Sequence, residues 1–223
     1  MFLKVLVVVL ISYLIGAIPV GFFVVKIISG KDVRKIGSGR VGGTNAMRAA
    51  GFMAGALTAA LDAGKGILVG FLAGLLIPGN IWAKIAAVIL AVLGQVFSIF
   101  LIQKNAEGKL VLHGGAGGST TLGGAIALFP MSWVVILPLA AVVFVVIGYA
   151  SVTTISIALF SLSLFLIRAI EGLGPYEYIL YGIATLALVL IALRPNLKRL
   201  IAGTERAVGL RAYFQKKAEN EIK

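Results

Sequence analysis

The chain has no cysteine, one histidine and only 8 acidic residues among 223. Without cysteine there are no disulfides, thiolate metal sites or cysteine nucleophiles. The one histidine, His113, has no carboxylate cluster at metal-ligating spacing and joins no Ser–His–Asp constellation. No Walker-type lysine follows either of the chain's two glycine-rich stretches. No metal and no cofactor is therefore expected. Charged residues make up 13%, about half the share of a soluble domain. Short alternating segments of the barrel kind are missing, and aromatic residues do not interleave with the basic ones as on a nucleic-acid platform. No nucleic-acid partner is expected.

What remains is apolar. Hydrophobic residues make up 60% of the chain, and the mean hydropathy is +1.08. Long uncharged stretches recur near the ~20 residues that cross a bilayer as a helix. The 20 basic residues give a net charge of +12, which reads as topology control and contact with anionic lipid. The expected fold is all-α: a polytopic integral membrane protein with membrane lipids as partners. The sequence sets no oligomeric state.

Three early spans are expected at Phe2–Ile28, Ala50–Pro78 and Ile81–Gln103. The first is too long for a removable signal, and no small-residue cleavage site follows it, so it is expected to be retained. The links Ser29–Ala49 and Lys104–Lys109 carry Lys31, Arg34, Lys35, Arg40, Arg48, Lys104 and Lys109. The positive-inside rule puts both in the cytoplasm and the N-terminus outside. Leu110–Ile167 contains no Asp, Glu, Lys or Arg. Dividing it into three spans, near Thr120–Trp133, Val135–Ala150 and Val152–Ile167, keeps the basic tail cytoplasmic. A last span near Tyr176–Leu193 makes about seven transmembrane helices. Residues 1–223 read as a single membrane domain, with 194–223 as a basic, interfacial tail.

Three constellations carry chemistry. The first is Gly37-Ser38-Gly39-Arg40-Val41-Gly42-Gly43-Thr44-Asn45-Ala46-Met47-Arg48. Its glycines let backbone N–H groups approach an oxyanion. Ser38, Thr44 and Asn45 add neutral donors, and Arg48 adds a bidentate fork. A flexible basic loop is the alternative reading. The second is His113-Gly114-Gly115-Ala116-Gly117-Gly118-Ser119-Thr120-Thr121, expected on the same side of the membrane. His113 reads either as a phosphate contact or as an ordinary loop residue; Glu107 is its nearest acid in sequence. The third is Arg194–Leu200 with Gly203-Thr204-Glu205-Arg206, where Asn196 offers a neutral donor and Glu205 an acid. Basic residues also serve there as a simple stop signal. Asp62 and Lys65 lie inside the second span, three apart on one helix face, either as a structural ion pair or as the rim of a polar cavity.

Taken together, these motifs resemble the bacterial acyl-phosphate:glycerol-3-phosphate acyltransferases, the PlsY family, nearly end to end. Gly37-Ser38-Gly39…Gly42…Thr44-Asn45…Arg48…Gly51 is similar to GSGNxGATNxxRxxG. Leu61-Asp62…Lys65-Gly66 fits DxxKG, and Asn196-Leu197-Lys198-Arg199-Leu200…Gly203-Thr204-Glu205 fits NIKRLxxGTE. The motif GHxFxxFxxFKGGKGVAT is altered. Gln95 stands for a histidine, His113 and Ala116 for two lysines, and Leu193 for a histidine often found ahead of Asn196. Arg40 stands where asparagine is common, and several residues between Gln103 and Leu112 are extra relative to the family.

The resemblance implies a seven-helix enzyme of phospholipid biosynthesis in the bacterial cytoplasmic (inner) membrane, its active site facing the cytoplasm. It implies transfer of a fatty acyl group from acyl phosphate to the 1-hydroxyl of glycerol 3-phosphate, giving lysophosphatidic acid and phosphate without a metal. Ser38, Arg48 and Asn196 are the expected catalytic residues. Gly39, Arg40, Gly42, Gly43, Thr44 and Asn45 are expected on one phosphate. His113, Gly114, Gly115, Gly117, Gly118, Ser119 and Thr120 are expected on the other. Asp62, Lys65, Gln95 and Glu205 are expected in support. Arg40 and a protonated His113 are the candidate replacements for the missing lysines. The altered motif leaves two alternatives open: a divergent paralogue with another acceptor, and a non-catalytic or transporting protein that binds phosphate or anionic lipid.

Overall fold

A computed structural model of the protein describes residues 2–104, 108 and 110–221. The first apolar run is not one helix. It forms α1 (Phe2–Ala17) and α2 (Val20–Ser29), broken at Ile18-Pro19, because proline carries no N–H for the ladder and clashes with the preceding turn. A 3-10 turn at Val33–Lys35 leads to the short α3 (Gly43–Ala50). Gly51, at φ 87°, separates it from α4 (Phe52–Leu76). Asn80 caps α5 (Ile81–Val96), its Oδ1 accepting from the Ala83 amide at 2.9 Å.

The third expected span ends at Val96 instead of Gln103. The Ser98 hydroxyl donates to Ala17 O, and the Ser98 amide donates to His113 O at 3.2 Å. The chain then makes an antiparallel hairpin of β1 (Ile102–Lys104) and β2 (Leu110–Leu112). The fold is therefore helical with one small hairpin, not purely α. Of the stretch from Gln103 to Leu112 read as extra, residues 103–104 and 110–112 pair in this hairpin; Glu107 and Lys109, named above, lie outside the described residues.

The charge-free stretch gives α6 (Gly118–Leu128), then α7 (Ser132–Val142) extended by a π turn at Val143–Ile147, then α8 (Ala150–Ile170). The next helix, α9 (Tyr178–Ile201), runs through Pro195, so the residues from Arg194 to Ile201 continue a helix that the sequence reading ended at Leu193. A separate α10 (Gly209–Glu221) follows. Among the described residues, four segments are long and apolar enough to cross a membrane: residues 3–29 together, α4, α8 and α9. α5 and the α7–π segment are apolar but shorter, and α6 has 11 residues.

The helices meet through small residues, as lipid-embedded bundles require in the absence of a hydrophobic drive between helices. A Cβ on Gly66 of α4 would strike the backbone at Thr120 and Gly124, and one on Gly123 of α6 would strike Ala63. The main core joins Val69, Ile85, Val88, Leu122, Ile136, Phe165 and Tyr181. The Tyr181 hydroxyl donates to Thr121 O, and its ring meets Phe165 edge-on at 6.0 Å.

Lys65 ties the break in the first span to this bundle. Its Nζ lies 2.8 Å from Asp62 Oδ1 and donates to Ile18 O at 2.6 Å, Gly16 O at 3.2 Å and Gln95 Oε1. Gln95 Nε2 in turn donates to Asp62 Oδ2 at 2.8 Å. Side-chain exposure is 6% for Lys65 and 3% for Asp62, so both charges are buried. Lys65→Met leaves a buried carboxylate without its counter-charge and orphans the carbonyls of Gly16 and Ile18 at the α1–α2 break. It is expected to destabilise the protein by about 3–5 kcal/mol. Adding Asp62→Asn is expected to recover part of the loss. Thermal unfolding in detergent measures both; a Lys65→Met protein as stable as the parent contradicts the assignment.

Candidate active site

The first glycine-rich loop is held by Asn45. Its Oδ1 accepts from the Ser38 amide at 3.1 Å. Its Nδ2 donates to Val33 O, Ile36 O and Arg40 O at 3.0, 2.9 and 2.8 Å. The Asn45 amide, expected to face phosphate, is thus engaged on the loop's own backbone, and its exposure is 3%. The loop is shorter than expected, because Gly43 to Ala50 is helix. Gly42 is the N-cap of α3, and its carbonyl accepts from the Asn45 and Ala46 amides. The first-turn N–H groups of Gly43 and Thr44 stay outside the ladder, at the positive end of a helix dipole.

The second glycine-rich segment also opens a helix. Gly117, in the left-handed region at φ 88°, is the N-cap of α6, and its carbonyl accepts from the Thr121 amide at 2.8 Å. The N–H groups of Gly118, Ser119 and Thr120 are first-turn donors with no backbone acceptor among the described residues. The preceding residues do different work. The Gly115 amide donates to Gln95 O at 2.8 Å, and a Cβ on Gly114 would strike the carbonyls of Gln95 and Val96. His113 is exposed at the base of the hairpin, its amide donating to Leu101 O at 3.0 Å.

Arg40 joins these helix ends to α9, while Arg48 and Asn196 meet the segment that follows α9. Arg40, on the first loop, donates through Nη1 to Gly115 O at 3.2 Å and through Nη2 to Ala192 O. Arg48, on α3, donates to Arg206 O at 3.4 Å. Asn196 Nδ2 donates to Glu205 Oε1 at 3.0 Å, and Arg199 lies 3.9 Å from the other carboxylate oxygen. Burial pushes the Arg40 guanidinium down from its usual value; Arg199 adds to that shift and Glu205 opposes it. Arg48 is lowered likewise, by burial first and by Arg206 second. A guanidinium keeps its proton at neutral pH regardless, so the site holds two partly desolvated cations.

These elements line one cavity of about 810 Å³, within the range of small-molecule sites. Its polar end has Ser38, Arg40, Gly42, Gly43, Thr44, Asn45 and Arg48 on one side. Gly117, Gly118, Ser119, Thr120 and Asn196 lie on the other, with Asp62 and Gln95 also in the wall. Among the expected site residues, Gly39, His113, Gly114, Gly115, Lys65 and Glu205 are not in the lining. His113 faces away on the hairpin, Gly114 and Gly115 pack on α5, Lys65 faces the α1–α2 break, and Glu205 acts through Asn196.

The other end of the cavity is apolar, built by Phe52, Leu122, Ile126, Trp133, Leu137, Phe144, Val145 and Ile157. Sequence reasoning missed this wall, since its residues read like any lipid-facing ones. It also missed Ser151, Thr153 and Thr154 at the start of α8, which line the cavity too. Their hydroxyls, clustered in a charge-free stretch, were the available signal.

The family model for glycerol-3-phosphate acyltransferase matches residues 6–203. Glycerol-3-phosphate acyltransferase 2 of Moorella thermoacetica is 35% identical over 205 residues, covering 91% of this chain and 96% of its own. The glycerol-3-phosphate acyltransferase of Trichormus variabilis is 34% identical over 218 residues, with 91% of each chain covered. The crystal structure of PlsY (YgiH), an integral membrane glycerol 3-phosphate acyltransferase, matches in its glycerol 3-phosphate form. The TM-score is 0.78 at 28% identity, covering 94% of this chain and 98% of that one. Its lysophosphatidic acid form matches at a TM-score of 0.76 and 29% identity, with the same coverage. With this fold, its apolar spans and a cavity joining two helix N-termini to an apolar slot, the chain belongs to the glycerol-3-phosphate acyltransferase family, integral membrane acyltransferases of phospholipid biosynthesis.

Proposed function

We propose that the protein moves a fatty acyl group from acyl phosphate to the 1-hydroxyl of glycerol 3-phosphate, releasing lysophosphatidic acid and inorganic phosphate. One observation carries this reading: a single cavity joins two positive helix ends and two guanidinium groups to an apolar slot. Such a site fits two phosphates and one alkyl chain. The α6 end adjoins the apolar slot and takes the donor's phosphate. The α3 end, with Ser38 and Arg48, takes the phosphate of the acceptor. Asn196, held by Glu205, closes the site.

The chemistry follows from the substrates. The acceptor hydroxyl oxygen bonds to the acyl carbonyl carbon, the carbon–oxygen bond to phosphate breaks, and that electron pair leaves on phosphate. The hydroxyl proton goes to a substrate phosphate oxygen, whose second pKa lies near 6. Acyl phosphate is already activated, so alignment and charge neutralisation by fixed donors are what the protein adds.

The same reading gives seven spans with the N-terminus outside and the site at the cytoplasmic face. Its support is that the ends of the bundle rich in Lys and Arg come together around Arg40, Arg48, Arg199 and Arg206.

Purified protein supplied with palmitoyl phosphate and labelled glycerol 3-phosphate is expected to yield labelled lysophosphatidic acid and one phosphate per turnover. Acyl transfer only to other acceptors selects the divergent-paralogue reading, and phosphate-dependent stabilisation without transfer selects a binding protein. Arg48→Lys keeps the charge and loses the fork. A fall of about tenfold or more in kcat/KM for glycerol 3-phosphate is expected; unchanged kinetics would remove Arg48 from the site. The rate is expected to rise between about pH 5 and 7, because the phosphate base works only once its second proton has left. A flat profile over that window contradicts substrate-assisted proton transfer.

A further inference from the structure

The two phosphate positions are unequally charged by sequence. The α3 side carries Arg48 on its own helix. The α6 side carries none: residues 110–128 contain no Lys or Arg, and His113 lies off the cavity. The end of a helix contributes only about half an elementary charge, too little to match a phosphate dianion. An unpartnered hydroxyl nevertheless waits there. Thr120 Oγ1 is fully buried, lines the cavity and has no hydrogen-bond partner among the described residues.

Arg40 comes from the first loop, yet its guanidinium lies against the second. Gly115 O and Ala192 O accept from its two terminal nitrogens. Those bonds use part of a five-donor fork. Among the described residues no carboxylate lies within ion-pair range of it; Glu205 acts on it only through the field. A partly desolvated cation, pinned by two carbonyls and lining an anion-shaped cavity, is a site for a phosphate oxygen.

We infer that Arg40 is the cation of the α6 phosphate position, lent across from the opposite loop, and that it binds the phosphoryl group of the donor. This assignment rests on the proposed acyl-phosphate reaction. The carbonyl anchors explain why arginine is needed here: a lysine has no fork with which to hold both and still present donors to a ligand. They also locate a substitute. Ala116 follows Gly115, is half-buried and lines the cavity, so a lysine at 116 brings an ammonium to the same region from the second loop itself.

The test is Arg40→Met, which keeps apolar bulk and removes charge, alone and combined with Ala116→Lys. Arg40→Met is expected to lower kcat/KM for palmitoyl phosphate about 100-fold while changing KM for glycerol 3-phosphate less than about threefold. The double variant is expected to recover at least about a tenth of the parental value. Orthophosphate is the second readout. It is expected to raise the unfolding temperature of the parent and the double variant more than that of Arg40→Met, which keeps only the α3 position. A parent without acyl transfer defeats the proposed function, and the orthophosphate shifts still test Arg40. A purely structural Arg40 predicts a folded double variant as impaired as Arg40→Met, or an Arg40→Met protein that binds orthophosphate like the parent; either result overturns the inference. If Arg40→Met fails to fold, Arg40→Lys serves. A smaller loss, relieved by Ala116→Lys, is expected; a loss that Ala116→Lys leaves unrelieved overturns it equally.

Discussion

The buried Lys65 ammonium is the contact on which the rest of the bundle depends. Ending a helix inside a membrane exposes carbonyls that no water can satisfy. α1 ends at Ala17, and three successive carbonyls there find donors: Gly16 O and Ile18 O from Lys65, and Ala17 O from Ser98. Lys65 needs a counter-charge and has it in Asp62, while Gln95 bridges the two. One cluster thereby fixes α1, α4 and α5 at the depth where Asp62 and Gln95 face the cavity. A buried ion pair adds little stability over an apolar replacement, yet breaking it is costly. Its role in this protein is to specify where three helices meet.

Once α5 is fixed, the second loop is fixed with it, since Gln95 O accepts from the Gly115 amide. That bond starts α6 at a set height, and the parallel packing of Gly66 and Gly123 holds α6 on α4. The first loop is shaped separately by the Asn45 amide. Arg40 then bridges the two loops to α9. The cavity is consequently the gap left among independently braced parts, and its positive end is preformed. Preformed donors suit the proposed transfer from acyl phosphate, because they cost no reorganisation as charge develops on an oxygen of the substrate.

The polar halves of the site were legible as residue types, and less so as roles. Glycines at 42–43 and 117–118 were read as loops cradling phosphate; they are the N-caps and first residues of two helices, where small size leaves the first-turn amides open to the cavity. Asn45 was read as a ligand donor, but its four hydrogen bonds go to its own loop. His113 drew notice as the sole histidine, yet two backbone bonds keep it on the hairpin. Proline 19 was a visible breaker within a run read as one span. The apolar wall from Leu122 to Ile157 had no signature, because a side chain facing an alkyl slot and one facing lipid obey the same hydropathy.

From its sequence alone the chain was bound to be a helical membrane protein with basic, glycine-rich segments between spans and a charged pair within one. Those properties are local: a bilayer forces each apolar run to satisfy its own backbone, so composition over ~20 residues decides the structure. Only the tertiary structure decided which of these segments meet. Arg40 reaches acceptors 75 and 152 residues away in sequence, and Lys65 reaches acceptors 47 and 49 residues before it. Such partners are chosen by where helices end and how closely glycines let them pack, and no spacing along the chain encodes that.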